Sequence, residues 1–298
     1  MTPRGRFAPA LLVAVLLLVG AGCGDDDASE GGTEPTAELS VEPSPEATVE
    51  PTAEPSPESV QPLRILVTND DGVGAEGIDI VVEALRTLPD VEITVVAPAE
   101  NQSGTGDTLS DVAPPAEEAA TLSGYPATAV SGTPGDSVRH ALDVVFAGNP
   151  PDLIVSGSNE GQNVGPWAEL SGTVGAARIG ARAGVPAFAI SQAALGVEPD
   201  FEAGVPFLLE WITQNREAVL AFEGDLGPVT NLNVASCEGQ GEVRGLVEVP
   251  LATEFAEGEP LGIDCTSTQE NPDDDATALV NGYAALTVLP EDFVRGAA

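Results

Sequence analysis

The sequence has no lysine, a single histidine, His140, and three cysteines, Cys23, Cys237 and Cys265. All 10 basic residues are arginines, set against 48 Asp and Glu, and the formal net charge is -38. A chain this acidic is excluded as a general nucleic-acid binder, whose affinity comes from Lys and Arg neutralising phosphates. Scarce histidine and cysteine argue against a typical zinc site, which draws its ligands from those side chains. The acidity itself fits a solubility or high-salt adaptation. It has one chemical consequence: such a surface repels an anionic substrate over a Debye length of ~8 Å at physiological salt, so a phosphate-handling site here needs a bound cation.

The apolar run Leu11–Val19 is too short to span a bilayer as a mature helix. Arg4 and Arg6 precede it, and Gly20-Ala21-Gly22 lead from it to Cys23. This is the pattern of a bacterial lipoprotein signal peptide over residues 1–22, with Cys23 as the lipidated N-terminus that holds the protein to the membrane outside the cytoplasm. Residues 23–62 are acidic, rich in Pro, Ser and Thr, and free of basic residues, with Glu-Pro units such as Glu50-Pro51 and Glu54-Pro55. Such a stretch buries too little apolar surface to offset its ordering entropy, and it reads as an extended tether. In that compartment Cys237 and Cys265 are expected to pair.

From Leu63 to Ala298 the pattern is that of one domain. Strands are expected at Leu63–Thr68, Val91–Ala97, Asp152–Ser156 and Ala187–Ser191, and helices at Ile78–Leu88, Val138–Phe146 and Thr173–Ala183. Alternation of this kind predicts an α/β fold, a doubly wound, mostly parallel sheet with helices on both faces. Beyond residue 200 a helix at Phe207–Phe222 and strands at Asn231–Val234, Glu242–Val249 and Ala284–Val288 predict a smaller antiparallel portion near the C-terminus.

In open α/β sheets ligands bind beyond the carboxyl ends of the strands. Four polar clusters follow strands or precede helices there: Asn69-Asp70-Asp71-Gly72, Asn101-Gln102-Ser103-Gly104, Gly132-Thr133-Pro134 and Ser156-Gly157-Ser158-Asn159. Gly72 and Gly74 allow a turn that aims both Asp70 and Asp71 at one point. Two adjacent carboxylates would force one to stay protonated unless a cation lies between them. Asp, Asn and Ser oxygens are hard ligands that suit Mg, Mn or Ca. Separately, Ser171-Gly172-Thr173 opens a predicted helix, where free N–H groups bind anions, although a plain Ser or Thr N-cap has the same appearance.

Taken in order, these motifs, with Asp136, Glu160-Gly161-Gln162-Asn163 and Ser171-Gly172-Thr173-Val174, resemble the SurE family of 5'/3'-nucleotidases over roughly residues 63–290. The resemblance implies a divalent metal, Mg or Mn, held by Asp70, Asp71, Ser103 and Asn159. It implies a phosphate pocket lined by Asn69, Gly104, Asn163, Ser171, Gly172 and Thr173. The activity implied is hydrolysis of nucleoside monophosphates by metal-activated water, in which Asp70 and Asp71 are both candidates to orient or deprotonate the water, and Asn163, Ser171 and Thr173 stabilise developing charge. Family members also form homo-oligomers, many through a C-terminal extension, whereas this chain stops shortly after Phe293.

Two positions depart from the family pattern: Gln102 stands where Arg is common and Gln162 where Pro is common. Arg178 and Arg182, one turn apart on a helix, are either a substitute cation or a solvated face. His140 is expected at a surface or capping position, and Trp167 either to stack on a base or to pack. The rival reading is a lipoprotein that binds a nucleotide or phosphate through its metal without turning it over.

Overall fold

The parallel strands of the protein read as nearly continuous apolar runs because both of their faces are covered. The computed structural model describes residues 61–194, 196–255 and 262–296. The leader at 1–22, Cys23 and the tether up to residue 60 lie outside the described residues. In chain order the elements are β1 (Leu63–Thr68), α1 (Glu76–Leu85), β2 (Val91–Pro98), β3 (Ala116–Ala120), β4 (Pro126–Val130), α2 (Pro134–His140) and β5 (Leu153–Glu160). They continue as α3 (Gly172–Arg182), β6 (Ala187–Gln192), α4 (Phe201–Leu220), β7 (Val229–Val234), β8 (Leu246–Glu248), α5 (Asp275–Val280), β9 (Ala284–Val288) and α6 (Glu291–Arg295).

The nine strands form one sheet in the order β3-β4-β2-β1-β5-β6-β7-β9-β8. From β4 to β7 neighbours are parallel; β3 pairs antiparallel with β4, and β9 antiparallel with β7. Antiparallel pairing therefore occurs at both ends of the sheet, not only near the C-terminus. The doubly wound expectation holds. From β1 the chain winds outward through β2 and β4, then returns to place β5 on the other side of β1. The carboxyl ends of β1 and β5 thus flank the topological switch point, the place at which open α/β sheets bind their ligands.

Strand alternation feeds two cores. Leu63, Ile65 and Val67 of β1 face one side with Ile78, Val81 and Leu85 of α1 and Leu208 and Ile212 of α4. Leu66 faces the other with Ile154, Val138 of α2, and Val174, Ala177 and Ala181 of α3. A third cluster joins Val164, Ala252, Ala276 and Leu279 to Cys237 and Cys265, which form a disulfide with Cα atoms 5.7 Å apart. No helix among the described residues is long and apolar enough to cross a membrane.

Some boundaries differ from expectation for identifiable reasons. Helix α2 begins at Pro134, not at Val138, because Thr133 caps it: the Asp136 N–H donates to Thr133 Oγ1 at 3.1 Å, and the Thr133 N–H to Asp136 Oδ2 at 3.0 Å. It continues as a π-helical turn over Ala141–Val145, and His140, half-buried, closes α2. Helix α4 starts six residues before Phe207, at Phe201, with Pro206 in its second turn. The expected strand at Glu242–Val249 is reduced to Leu246–Glu248.

Candidate active site

The turn after β1 is built around Gly72, whose φ of +105° is the left-handed region that glycine favours. Asn69 locks it: its Nδ2 donates to the Gly72 carbonyl at 2.8 Å and its Oδ1 accepts from the Gly72 N–H at 3.3 Å. Asn69 is fully buried, so the side chain expected to line a phosphate pocket is spent on bracing the turn. Gly74 has an ordinary φ and open space around it, and the turn does not depend on it. The loop after β2 is zipped to this turn by backbone bonds, Val73 N–H to the Pro98 carbonyl at 2.8 Å and Gln102 N–H to the Asp70 carbonyl at 2.7 Å.

Asp70 and Asp71 leave the turn with different surroundings. Asp70 is 3% exposed and its Oδ1 accepts from Thr173 Oγ1 at 2.6 Å, across the sequence from the first turn of α3. Gly172 makes that approach feasible, because a Cβ there would lie 2.7 Å from the Asp70 Cβ. Asp71 is half-buried; its Oδ1 accepts from Asn101 Nδ2 at 3.0 Å and its Oδ2 from the Glu160 N–H at 3.0 Å. Asn101 also accepts from the Ser103 N–H at 2.9 Å, which ties Ser103 to Asp71 through one side chain. Gly104 is exposed, with nothing within 4 Å of a Cβ placed on it.

On the β5 side, a bulge between Ser156 and Asn159 inserts one residue against β6 and re-aims the strand end. Gly157 fills a space a side chain could not, since a Cβ would strike the Ile190 carbonyl. Asn159 then donates through Nδ2 to the Gly161 carbonyl at 2.7 Å, which leaves its Oδ1 as a free acceptor. Asn163 donates through Nδ2 to Ser191 Oγ at 2.8 Å and stands 3.4 Å from Thr173 Oγ1. Ser171 is the N-cap of α3: its Oγ accepts from the Val174 N–H at 3.1 Å, and its O–H remains free to donate.

Three of the four polar clusters thus come together around Asp70 and Asp71. The cluster Gly132-Thr133-Pro134 stands beyond β4, two strands from β1, and acts as a clamp: Thr133 Oγ1 donates to the Thr108 carbonyl at 2.7 Å, and Asp136 accepts from Ser110 Oγ at 2.6 Å. Neither expectation for Arg178 and Arg182 holds. Arg178 is 1% exposed and faces Asp107 and Glu169, Arg182 reaches Asp107 at 2.6 Å, and the Phe293 ring lies 4.8 Å under the Arg178 guanidinium. Trp167 is half-buried and packs edge-on to Phe255 at 5.0 Å.

Burial, with the neighbouring Asp71 charge added, pushes the Asp70 carboxyl up to about 6, against bonds from Thr173 that pull it down. Burial likewise raises Asp71, and the Glu160 charge adds to it. Two adjacent carboxylates, one buried and one half-buried, raised in this way favour a cation between them. No group of three His, Cys, Asp or Glu side chains among the described residues is placed to hold a metal. A set here would be mixed, with Asp70 Oδ2, which takes no side-chain hydrogen bond, an Asp71 oxygen, Ser103 Oγ and Asn159 Oδ1. These are hard donors that fit a divalent cation. A concavity of about 610 Å³ lies elsewhere, between α4 and the β7–β9–β8 end of the sheet, lined by Phe207, Trp211, Leu246 and Val288.

The sequence pattern gave Asn101 a place in a polar loop but no role, and it gave Ser191, Asn231 and Asn233 no part in the site. The signal for the last two was two amides at alternate positions of β7, on one face of a strand with every residue buried.

The family model described as Survival protein SurE matches residues 65–256. The 5'-nucleotidase SurE 1 of Burkholderia lata is 44% identical over 242 residues, 76% of this chain and 90% of that protein. The 5'-nucleotidase SurE of a Synechococcus species is 32% identical over 79% of this chain and 95% of its own length. The protein of the same name from Methanopyrus kandleri is 46% identical over 130 residues, and there the chain spans about half of the relative, 49%. The crystal structure of the SurE protein from Aquifex aeolicus superposes with a TM-score of 0.59 at 27% identity, covering 77% of this chain and 94% of that one.

Proposed function

The chain belongs to the SurE family, and from that membership we propose that it is a divalent-metal-dependent phosphomonoester hydrolase acting on nucleoside 5'- or 3'-monophosphates. The observation that carries this is the junction of Asp70 with the start of α3: a buried carboxylate bonded to Thr173, beside a second carboxylate, at a helix end that offers N–H and O–H donors. A cation site and an anion site placed side by side are what phosphoryl transfer to water requires.

Asp70, Asp71, Ser103 and Asn159 would hold the cation. When bound, it supplies Lewis-acid polarisation of the phosphoryl group and eases ionisation of water. The remaining work belongs to the chain. Thr173 fixes the orientation of Asp70 through the 2.6 Å bond. Asn101 and the Glu160 N–H fix Asp71. One carboxylate of the pair orients the attacking water and takes its proton. The Ser171 O–H, the Gly172 N–H and the Asn163 amide donate to phosphate oxygens as charge builds on them. We also propose that the chain acts outside the cytoplasm, anchored by a lipid on Cys23 after removal of residues 1–22. There it would release nucleoside and phosphate.

One observation favours the rival reading of binding without turnover: the arginines of α3, Arg178 and Arg182, are committed to Asp107 and Glu169, so neither supplies the cation that is missing at Gln102. Phosphate release from a panel of nucleoside 5'- and 3'-monophosphates, with Mg or Mn present and then chelated, separates the two. Turnover that requires the metal and falls roughly 10²–10³-fold in Asp70→Asn is the expected result. A folded chain that binds metal and nucleotide but releases no phosphate would sink the enzymatic reading.

A further inference from the structure

Asn163 lies outside the strands, and its main-chain bonds are made by side chains of β7. Its N–H donates to Asn233 Oδ1 at 2.6 Å. Its carbonyl accepts from Asn231 Nδ2 at 2.9 Å and from Asn233 Nδ2 at 3.3 Å. Asn233 thus grips both polar groups of one residue with both ends of one amide, and Asn231 adds a second hold on the carbonyl. Both asparagines are fully buried. Ser191, which pairs with Asn233 in the β6–β7 register, receives the Asn163 side chain at 2.8 Å.

A strand buried on both faces is stabilised by apolar side chains, and a buried amide is unfavourable unless its polar atoms are paired. The pairing here is incomplete, since Asn231 Oδ1 has no partner among the described residues. Stability alone does not account for two amides at these positions. What they achieve is placement. With its backbone clamped, Asn163 places one Nδ2 hydrogen on Ser191 Oγ at 2.8 Å and the other on Thr173 Oγ1 at 3.4 Å, and the longer of these two bonds is the weaker and the one a ligand oxygen would replace.

We propose that Asn231 and Asn233 are positioning residues, which act on phosphate only through Asn163. This rests on the reading that the site binds a phosphoryl group. The test is a double-mutant cycle of Asn233→Ala and Asn163→Ala, read in kcat and KM for a nucleoside monophosphate and, separately, in the dissociation constant for orthovanadate. Asn163→Ala is expected to lower kcat about 10²-fold, and Asn233→Ala about 10-fold with KM changed less than about threefold. In the Asn163→Ala background, Asn233→Ala should add less than about twofold, because its target is already gone. A loss that multiplies in full, or an Asn233→Ala enzyme with unchanged kcat and vanadate affinity, overturns the proposal. If Asn233→Ala does not fold, Asn231→Ala, which removes only a carbonyl contact, runs the same cycle. A wild-type chain without turnover refutes the enzymatic reading while the vanadate cycle still decides this one, and a wild type that binds no vanadate overturns both.

Discussion

Replacing Gly172 by alanine tests the joint between the two halves of the site. At the first position of a helix this change is ordinarily neutral or favourable, by up to ~1 kcal/mol. Here the new Cβ would sit 2.7 Å from the Asp70 Cβ, 2.9 Å from its Oδ2 and 3.1 Å from its Cγ. Restoring ordinary contact requires α3 and the β1 turn to separate by roughly 0.7 Å, and overpacking of this kind strains a structure by about 1–3 kcal/mol. Strain exceeds the helical gain, so the fold should lose about 1–2 kcal/mol. Function should suffer more, since the displaced atoms are the ones that join Asp70 to Thr173, and errors near 1 Å in such placement reduce turnover about 10²-fold. The assay is kcat with saturating metal beside urea denaturation of the same preparation. Gly74→Ala is the control: nothing lies within 4 Å of its Cβ, and it should hold turnover within about twofold and stability within about 1 kcal/mol. Undiminished turnover in Gly172→Ala would refute the reasoning.

Asp275 offers a test away from the metal ligands: fully buried, it accepts N–H bonds from Gly165 at 3.0 Å and Ala252 at 2.8 Å, and burial pushes its carboxyl up to about 6. The folded state therefore keeps this proton where the unfolded chain, near 3.8, has lost it, and stability falls as pH rises from 3.8 to 6; the stability lead of wild type over Asp275→Asn should shrink by up to about 3 kcal/mol between pH 4 and pH 7 in urea titrations, and a constant or growing lead contradicts this. Salt supplies another test: with a net charge of -38, raising NaCl from ~10 mM to ~0.15 M shortens the Debye length from ~30 to ~8 Å and should lower KM for a nucleoside monophosphate. A KM that rises with salt would show the approach to be governed by a local positive field.

The parts of the fold legible in the sequence are those whose signal is local. Strands β1, β5 and β6 stand out as compact apolar runs between polar loops, and the start of α3 is marked by Ser171, which does cap it. The hairpin of β3 and β4 carries no such mark. Ala116-Glu117-Glu118-Ala119-Ala120 has a helical composition, and it is a strand because it pairs with Pro126–Val130 at the edge of β2. Pro206 concealed the beginning of α4, since a proline in a second turn suggests a boundary. The Thr133-to-Asp136 spacing was a capping-box signature and reads as an N-terminus more naturally than as part of a binding loop. In the site, the adjacent carboxylates were legible, whereas Asn233 was not. Its bond to Asn163 spans 70 residues, and only the parallel β6–β7 pairing brings the two within reach.

How an acidic chain handles an anion follows from where its arginines are. Beyond Arg4 and Arg6, each one has a partner away from Asp70: Arg64 meets Asp152, Arg86 meets Glu83, Arg139 meets Asp136, and Arg295 meets Glu291. Arg178 and Arg182 share Asp107, while Arg216 and Arg244 donate to main-chain carbonyls. With 48 acids competing for 10 bases, capture of this kind is the default. A phosphate at the start of α3 would meet neutral donors, whose bonds to its charged oxygens each contribute about 1.5–3 kcal/mol but bring no positive charge. Neutral donors aim the phosphoryl group but do little against a surrounding negative potential. On the proposed reading the source of positive charge would be a divalent cation held by Asp70 and Asp71, and anion binding would be conditional on it. In a site built this way the cation and the phosphate would be held as a pair.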